Sequence, residues 1–62
     1  MDSKQVEYFA LCGMRICLTQ VGDQYFVAAL INGRAMLTPP LSCEQSLDIF
    51  DMCVNQVRQA VN

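Results

Sequence analysis

A helical repeat in the last third of the chain constrains the fold more than any other feature. From Ser42 onward, apolar residues recur at alternating steps of four and three, which places them along one face of an α-helix. These residues are Cys43, Leu47, Phe50, Val54, Val57 and Val61. Ser42 and Gln45 match a capping box, which satisfies free backbone amides at a helix start. The repeat therefore predicts an amphipathic helix over residues 42–61.

The chain before this helix has the turn signals and apolar runs of β-structure, and Pro39-Pro40 separates the two parts. A proline lacks the backbone donor and disfavours helical geometry in the residue before it. Asn32-Gly33 suits a two-residue type I′ hairpin because both residues tolerate positive φ, and Gly22-Asp23 marks a second turn. The predicted strands are approximately residues 14–21, 24–31 and 34–38.

The N-terminal segment from Val6 to Cys12 allows two interpretations. It would either extend the first strand, with Gly13 as a bend or bulge, or form a short helix capped by Ser3. We favour the extended strand because the aromatic and β-branched residues of the segment suit it.

The predicted fold class is α+β. It is a three-stranded antiparallel β-meander followed by one C-terminal amphipathic α-helix packed on the sheet (β-β-β-α). The alternative is α-β-β-β-α, with a short N-terminal helix. Residues 1–62 are predicted to form one small domain.

Both faces of the predicted sheet are apolar. Side chains alternate between the faces, and tight hairpins fix the pairing. One face then carries Met14, Ile16, Leu18, Val27, Ala29, Ile31 and Met36. The other carries Cys17, Phe26, Ala28, Leu30, Ala35 and Leu37, with Arg15 and Thr19 toward its margins. One helix covers one face, so the second face needs a cover, either a second copy of the chain or the N-terminal segment folded back.

Composition and charge exclude several classes of function. Only 16% of the residues are charged, the net charge is −2, and the four basic residues are scattered, so the basic patch that binds phosphates is missing. The N-terminus lacks the basic start of a secretory signal. No apolar stretch reaches the roughly 18 residues of a membrane span. We therefore expect a cytoplasmic protein that binds neither nucleic acid nor membrane.

The four cysteines do not have the spacing of a metal site. The nearest pair, Cys12 and Cys17, is five residues apart, whereas zinc ligands usually include a C-x₂-C pair. The chain has no histidine and one lysine, so the usual general bases and nucleophile activators are nearly absent. We expect structural thiols, no metal, no cofactor and no catalytic residues, and hence no enzyme.

By elimination, the sequence predicts a small non-enzymatic protein-binding module. It would be an inhibitor, adaptor or regulator, of the type that phages and mobile elements encode as small stand-alone chains. It would act as a homodimer through an apolar sheet face. The candidate interface residues are Phe26, Ala28, Leu30, Ala35, Leu37 and, on the polar side of the helix, Met52. Two alternatives remain, namely a nucleic-acid-associated regulatory protein and a subunit of a larger heteromeric complex.

Overall fold

Four antiparallel strands and one C-terminal helix make up the computed structural model, which describes residues 2–62. The elements are β1 (Ser3–Leu11), β2 (Met14–Val21), β3 (Gln24–Ile31), β4 (Arg34–Leu37) and α1 (Cys43–Val61). Strands that follow each other in sequence are neighbours in the sheet, in the order β1-β2-β3-β4. The predicted α+β class, with a C-terminal helix on an antiparallel meander, is confirmed. The meander has four strands where the sequence predicted three.

β1 is the additional strand. The chain reverses at Cys12-Gly13, so that Leu11 pairs with Met14 and the rest of β1 runs antiparallel to β2. Both turn residues have positive φ, 51° at Cys12 and 80° at Gly13, as a type I′ turn requires. The segment is extended, as we favoured, but the expectation that it lengthens the first predicted strand with a bend or bulge at Gly13 is wrong, because Cys12-Gly13 is a hairpin turn between two separate strands. The N-terminal helix of the α-β-β-β-α alternative does not form, because residues 3–11 are a strand.

The other two turns set the register that the sequence predicted. Asn32 and Gly33 have φ values of 54° and 78°, which these two residue types adopt more readily than others. Gly22 has a φ of 61°, which fits the first central position of a type II′ turn. Ile31 pairs with Arg34, Ala29 with Met36, Ile16 with Ala29, and Leu18 with Val27, as the predicted two-residue hairpins require.

The start of α1 is fixed by its cap and by the residue that precedes the cap. Ser42 Oγ accepts a hydrogen bond from the Gln45 amide at 3.1 Å, and Gln45 Oε1 accepts one from the Ser42 amide at 3.2 Å. The predicted capping box is thus present. Just before it, Leu41 and Tyr25 exchange two backbone hydrogen bonds of 2.8 and 3.1 Å. This bridge holds the beginning of the helix beside β3.

The core lies between α1 and the two central strands. Its buried apolar residues are Met14, Ile16, Leu18, Val27, Ala29, Cys53, Val54 and Val57. The strand residues among them all belong to one predicted face of the sheet, as alternation requires. The helix therefore covers that face and leaves the other face free.

The contact line of α1 differs from the predicted repeat at its ends. Leu47 is 45% exposed and Val61 is 41% exposed, although both belong to the four-three repeat. Ser46, next to Leu47, is buried, and its hydroxyl donates a 2.7 Å hydrogen bond to the Cys43 carbonyl. A buried hydroxyl that has a local backbone acceptor avoids the desolvation penalty of an unsatisfied group.

β4 is an edge strand that the helix does not reach. α1 contacts β1, β2 and β3 but not β4, and each residue of β4 is exposed. Met36 is accordingly half exposed, although it shares the helix side of the sheet with Ala29. Beyond the strand, Val27 and Thr38 are joined by two hydrogen bonds of 3.0 Å, one of them to the threonine hydroxyl. β4 is therefore held by its pairing with β3 and contributes little to the core.

Candidate protein-interaction site on the open face of the sheet

The open face is the side of the sheet opposite α1, and strand pairing identifies its residues. Residues paired across neighbouring strands point to the same side. One row across the sheet is Tyr8, Cys17, Ala28 and Leu37, and the next row is Ala10, Arg15, Leu30 and Ala35. A third row contains Gln5, Thr19 and Phe26. The open face is thus mostly apolar and runs over all four strands.

A shallow depression of about 320 Å³ lies on the open face. Its lining includes Tyr8, Arg15, Cys17, Ala28, Leu30 and Ala35. The depression exists because small side chains, chiefly Ala28 and Ala35, stand between larger ones. Leu37 lies beside it and is 72% exposed. A protruding leucine beside a depression on an apolar surface suits packing against a surface of complementary shape.

The structure brings most of the sequence-predicted interface residues together. Ala28, Ala35 and Leu37 are exposed on the open face, and Phe26 and Leu30 are half-buried among their neighbours on the same face. Met52 is separated from them, because it is 60% exposed on α1, which packs on the other side of the sheet. A single partner surface cannot cover Met52 and the open face without wrapping around the domain.

Sequence reasoning missed the contribution of β1 to this surface. Tyr8 and Ala10 lie on the open face because β1 pairs with β2 as a separate strand. The spacing of apolar residues indicated a third hairpin. Leu11 and Met14 flank two residues, as the strand ends of the other two hairpins do. Cysteine at the first turn position concealed it, because that position favours asparagine, aspartate or glycine.

The N-terminal segment does not cover the open face. β1 lies at the edge of the sheet and pairs with β2 over its whole length, with one bulge between Gln5 and Glu7. One of the two covers considered from the sequence is therefore excluded.

Arg15 is the one charged side chain that the strand pairing of residues 3–37 places on the open face. Lys4 and Glu7 pair with Gln20 and Leu18, which puts them on the helix side. The polar groups near the middle of the face are uncharged, and the Cys17 thiol lies 3.5 Å from Gln5 Oε1 and 3.5 Å from Thr19 Oγ1. The open face is therefore apolar over most of its area, with one positive charge, that of Arg15, near one end.

Two titratable groups among the described residues have raised pKa values, the Cys53 thiol and the Tyr25 hydroxyl. The four cysteines are free, with Cys12 and Cys43 exposed and Cys53 buried. Burial raises the pKa of the Cys53 thiol. The pKa of Tyr25 is raised as well, first by a hydrogen bond with Cys43 and then by desolvation. Both shifts favour the neutral form, which is the less reactive one.

Within residues 2–62, no group of three or more histidine, cysteine, aspartate or glutamate side chains is arranged to hold a metal ion. The same residues contain no helix with the length and apolar character needed to cross a membrane.

Comparison with protein-family models, curated proteins and solved structures found no match to this chain.

Proposed function

We propose that this chain is a small non-enzymatic protein-binding module that forms a homodimer through its open face. It acts in the cytoplasm by steric occupation of a partner, as an inhibitor, adaptor or regulator. The observation that carries the proposal is the exposure of the open face, where Leu37 is 72% exposed and Tyr8 is half exposed. Monomeric proteins rarely leave a large contiguous apolar patch in water.

A second copy of the chain is the simplest cover for this face. α1 is occupied on the other side of the sheet, and β1 lies in the plane of the sheet. Two-fold homodimers are the commonest oligomers of soluble proteins. Two sheets also pack well face to face, about 10 Å apart, through interdigitating apolar side chains.

The size of the open face predicts a weak dimer. Three strands of about eight residues and β4 of four, spaced about 4.8 Å apart with a rise of about 3.4 Å per residue, give roughly 450 Å² per copy. Two copies then bury about 900 Å², less than the roughly 1,200–2,000 Å² of standard stable interfaces. We therefore expect a dissociation constant in the micromolar range.

The free thiols support the proposed compartment. Cys12 and Cys43 are exposed, and exposed thiols persist most readily where the environment is reducing, as in the cytoplasm.

The open face offers less to a nucleic acid than to a protein. Nucleic-acid affinity depends on several cations that neutralise phosphates, and Arg15 alone supplies charge within the rows of the open face. A heteromeric complex would cover the same face with a different chain, and the experiment below separates that alternative from the homodimer.

Sedimentation velocity over a range of micromolar concentrations tests the homodimer. We expect the wild-type chain to dimerise, and Leu37→Asp to be monomeric because the aspartate would be buried without a partner. Leu47→Asp is the matched control, since Leu47 is exposed on α1 and away from the open face. It should dimerise like the wild type. A wild-type chain that stays monomeric throughout would refute the homodimer and favour a different protein as the cover.

A further inference from the structure

Leu37 protrudes from the open face next to the shallow depression, and the strand pairing shows how close the two features are. Leu37 pairs with Ala28, which lines the depression together with Ala35. Ala35 and Leu37 are two residues apart on β4, which corresponds to about 7 Å along the strand. The protruding leucine and the depression are therefore neighbours on the same surface.

Among residues 3–37, Leu37 is the large apolar side chain of the open face that is most available to another surface. It is 72% exposed, it does not line the depression, and it lies outside the core of its own chain. Tyr8 is 50% exposed but forms part of the wall of the depression. Phe26 and Leu30 are half-buried among their neighbours.

The depression has the size and the lining to accept a leucine side chain. Its volume is about 320 Å³, whereas trimming a buried leucine to alanine leaves a cavity of about 150 Å³ in a well-packed protein. Arg15 is the charged residue of the lining, and it is exposed. Its aliphatic stem can border a leucine while the guanidinium stays in water. A leucine therefore fits without the burial of a charged group.

We propose that two copies pack open face to open face with Leu37 of each copy inserted into the depression of the other. This inference rests on the proposed homodimer and names its central contact. A second copy is the occupant because this chain supplies both the protruding leucine and the depression that accepts it. A contact of this kind is self-complementary, as a two-fold interface requires.

Two-fold symmetry lets both contacts form at once. The axis lies in the interface, midway between Leu37 and the depression and perpendicular to the line that joins them. Rotation about this axis carries each feature onto the other. Because the two features are only about 7 Å apart along the sheet, the two contacts lie side by side near the axis. The open face gives an interface below the standard size, so we expect this cluster of buried apolar anchors to supply most of the affinity.

Two substitutions test the two sides of the contact separately. Leu37→Ala removes the protruding side chain and leaves two empty depressions in the dimer, whereas Ala35→Leu fills both depressions and obstructs the entering leucines. We expect each variant to raise the dissociation constant at least tenfold. Ala10→Leu is the matched control for Ala35→Leu, because Ala10 is exposed in the same row of the open face but lies on the opposite edge strand and outside the depression. It should change the dissociation constant by about twofold or less.

Mixing the two weakened variants tests whether Leu37 and the depression meet each other. In the mixed dimer, the Leu37→Ala copy has an empty depression that receives Leu37 of the Ala35→Leu copy, and its own truncated side chain faces the filled depression. One native contact and one contact without obstruction result. The equimolar mixture should therefore dimerise with a dissociation constant within about threefold of the wild type, although neither variant does so alone.

Sedimentation equilibrium measures the wild type, the three variants and the mixture, and circular dichroism verifies that each variant folds. Ala28→Leu fills the same depression from β3 and replaces Ala35→Leu if that variant does not fold.

The outcomes separate this inference from the proposed function. Weakening by each variant with recovery in the mixture would establish the contact. A wild-type dimer that both variants leave intact would overturn the contact and leave the homodimer standing, and so would a mixture as weak as its components. An effect of Ala10→Leu as large as that of Ala35→Leu would overturn the contact as well. A wild-type chain that stays monomeric would overturn the homodimer and the contact together and favour a different protein as the occupant.

Discussion

Replacing Val57 with alanine tests the docking of α1 on the sheet. Val57 is fully buried between the helix and the two central strands. Val61 lies one turn further along the same helix and is 41% exposed. The two valines belong to the same four-three repeat, so the sequence pattern predicts the same burial for both. The structure distinguishes them, which makes Val61→Ala a matched control of identical chemistry.

The expected loss in the free energy of unfolding follows from the burial of the Val57 side chain. Valine to alanine removes two carbon groups, worth about 0.8 kcal/mol each when buried. A residual cavity of about 50 Å³ would add about 1.2 kcal/mol, and the better helix propensity of alanine returns about 0.5 kcal/mol. Val57→Ala should therefore lower the free energy of unfolding by about 2 kcal/mol. At Val61, partial exposure reduces the free energy lost with the side chain, and no cavity forms. The higher helix propensity of alanine offsets most of this loss, so Val61→Ala should change the free energy of unfolding by about 0.5 kcal/mol or less.

Urea unfolding followed by far-ultraviolet circular dichroism measures both variants against the wild type. A 62-residue domain has a total stability of about 3–9 kcal/mol, so a loss of 2 kcal/mol would displace the midpoint clearly. The measurement is made at two protein concentrations, which separates folding from association. Equal effects of the two substitutions would refute the contact line of α1 described above.

Two further predictions concern the β1–β2 turn and the buried thiol. Cys12 has a φ of 51°, which asparagine tolerates and β-branched residues do not. Cys12→Asn should therefore stabilise the fold by about 0.5–1 kcal/mol, and Cys12→Val should destabilise it. Equal stabilities of the two variants would argue against this turn. The folded chain holds the Cys53 proton above the ordinary thiol pKa of 9.0 because burial raises the pKa, whereas the unfolded chain releases it. Stability should therefore fall as the pH rises through 9, and Cys53→Ala should reduce that slope in urea unfolding. An unchanged slope would contradict burial of the thiol.

Local chemistry was sufficient to predict most of the fold. The Ser42–Gln45 capping box and the proline pair before it predicted where the helix begins, since both act within a few residues of chain. Asn32-Gly33 and Gly22-Asp23 fixed two hairpins, and the two-residue turn length then determined which residues share a face. The candidate residues on the open face followed from that register, because alternation along a strand is strict.

The fourth strand could not be predicted with the same rules. Cys12-Gly13 forms a type I′ turn although cysteine rarely adopts positive φ. Only the pairing of β1 along β2 holds Cys12 in that conformation. Without this pairing, the segment before Gly13 remained a choice between a longer strand and a short helix, and Tyr8 and Ala10 could not be assigned to the open face.

The sequence by itself determined the class of fold, the register of β2, β3 and β4, and the apolar character of both sheet faces, because periodicity and turn chemistry are local properties. Tertiary structure alone decided which face α1 covers, how far along the helix the contact extends, and where β1 lies. These depend on the distances between elements that are remote in sequence. α1 contacts β1, β2 and β3 but not β4, and Leu47 and Val61 remain partly exposed. The open face stays uncovered within the chain because β1 pairs with β2 as an edge strand of the sheet.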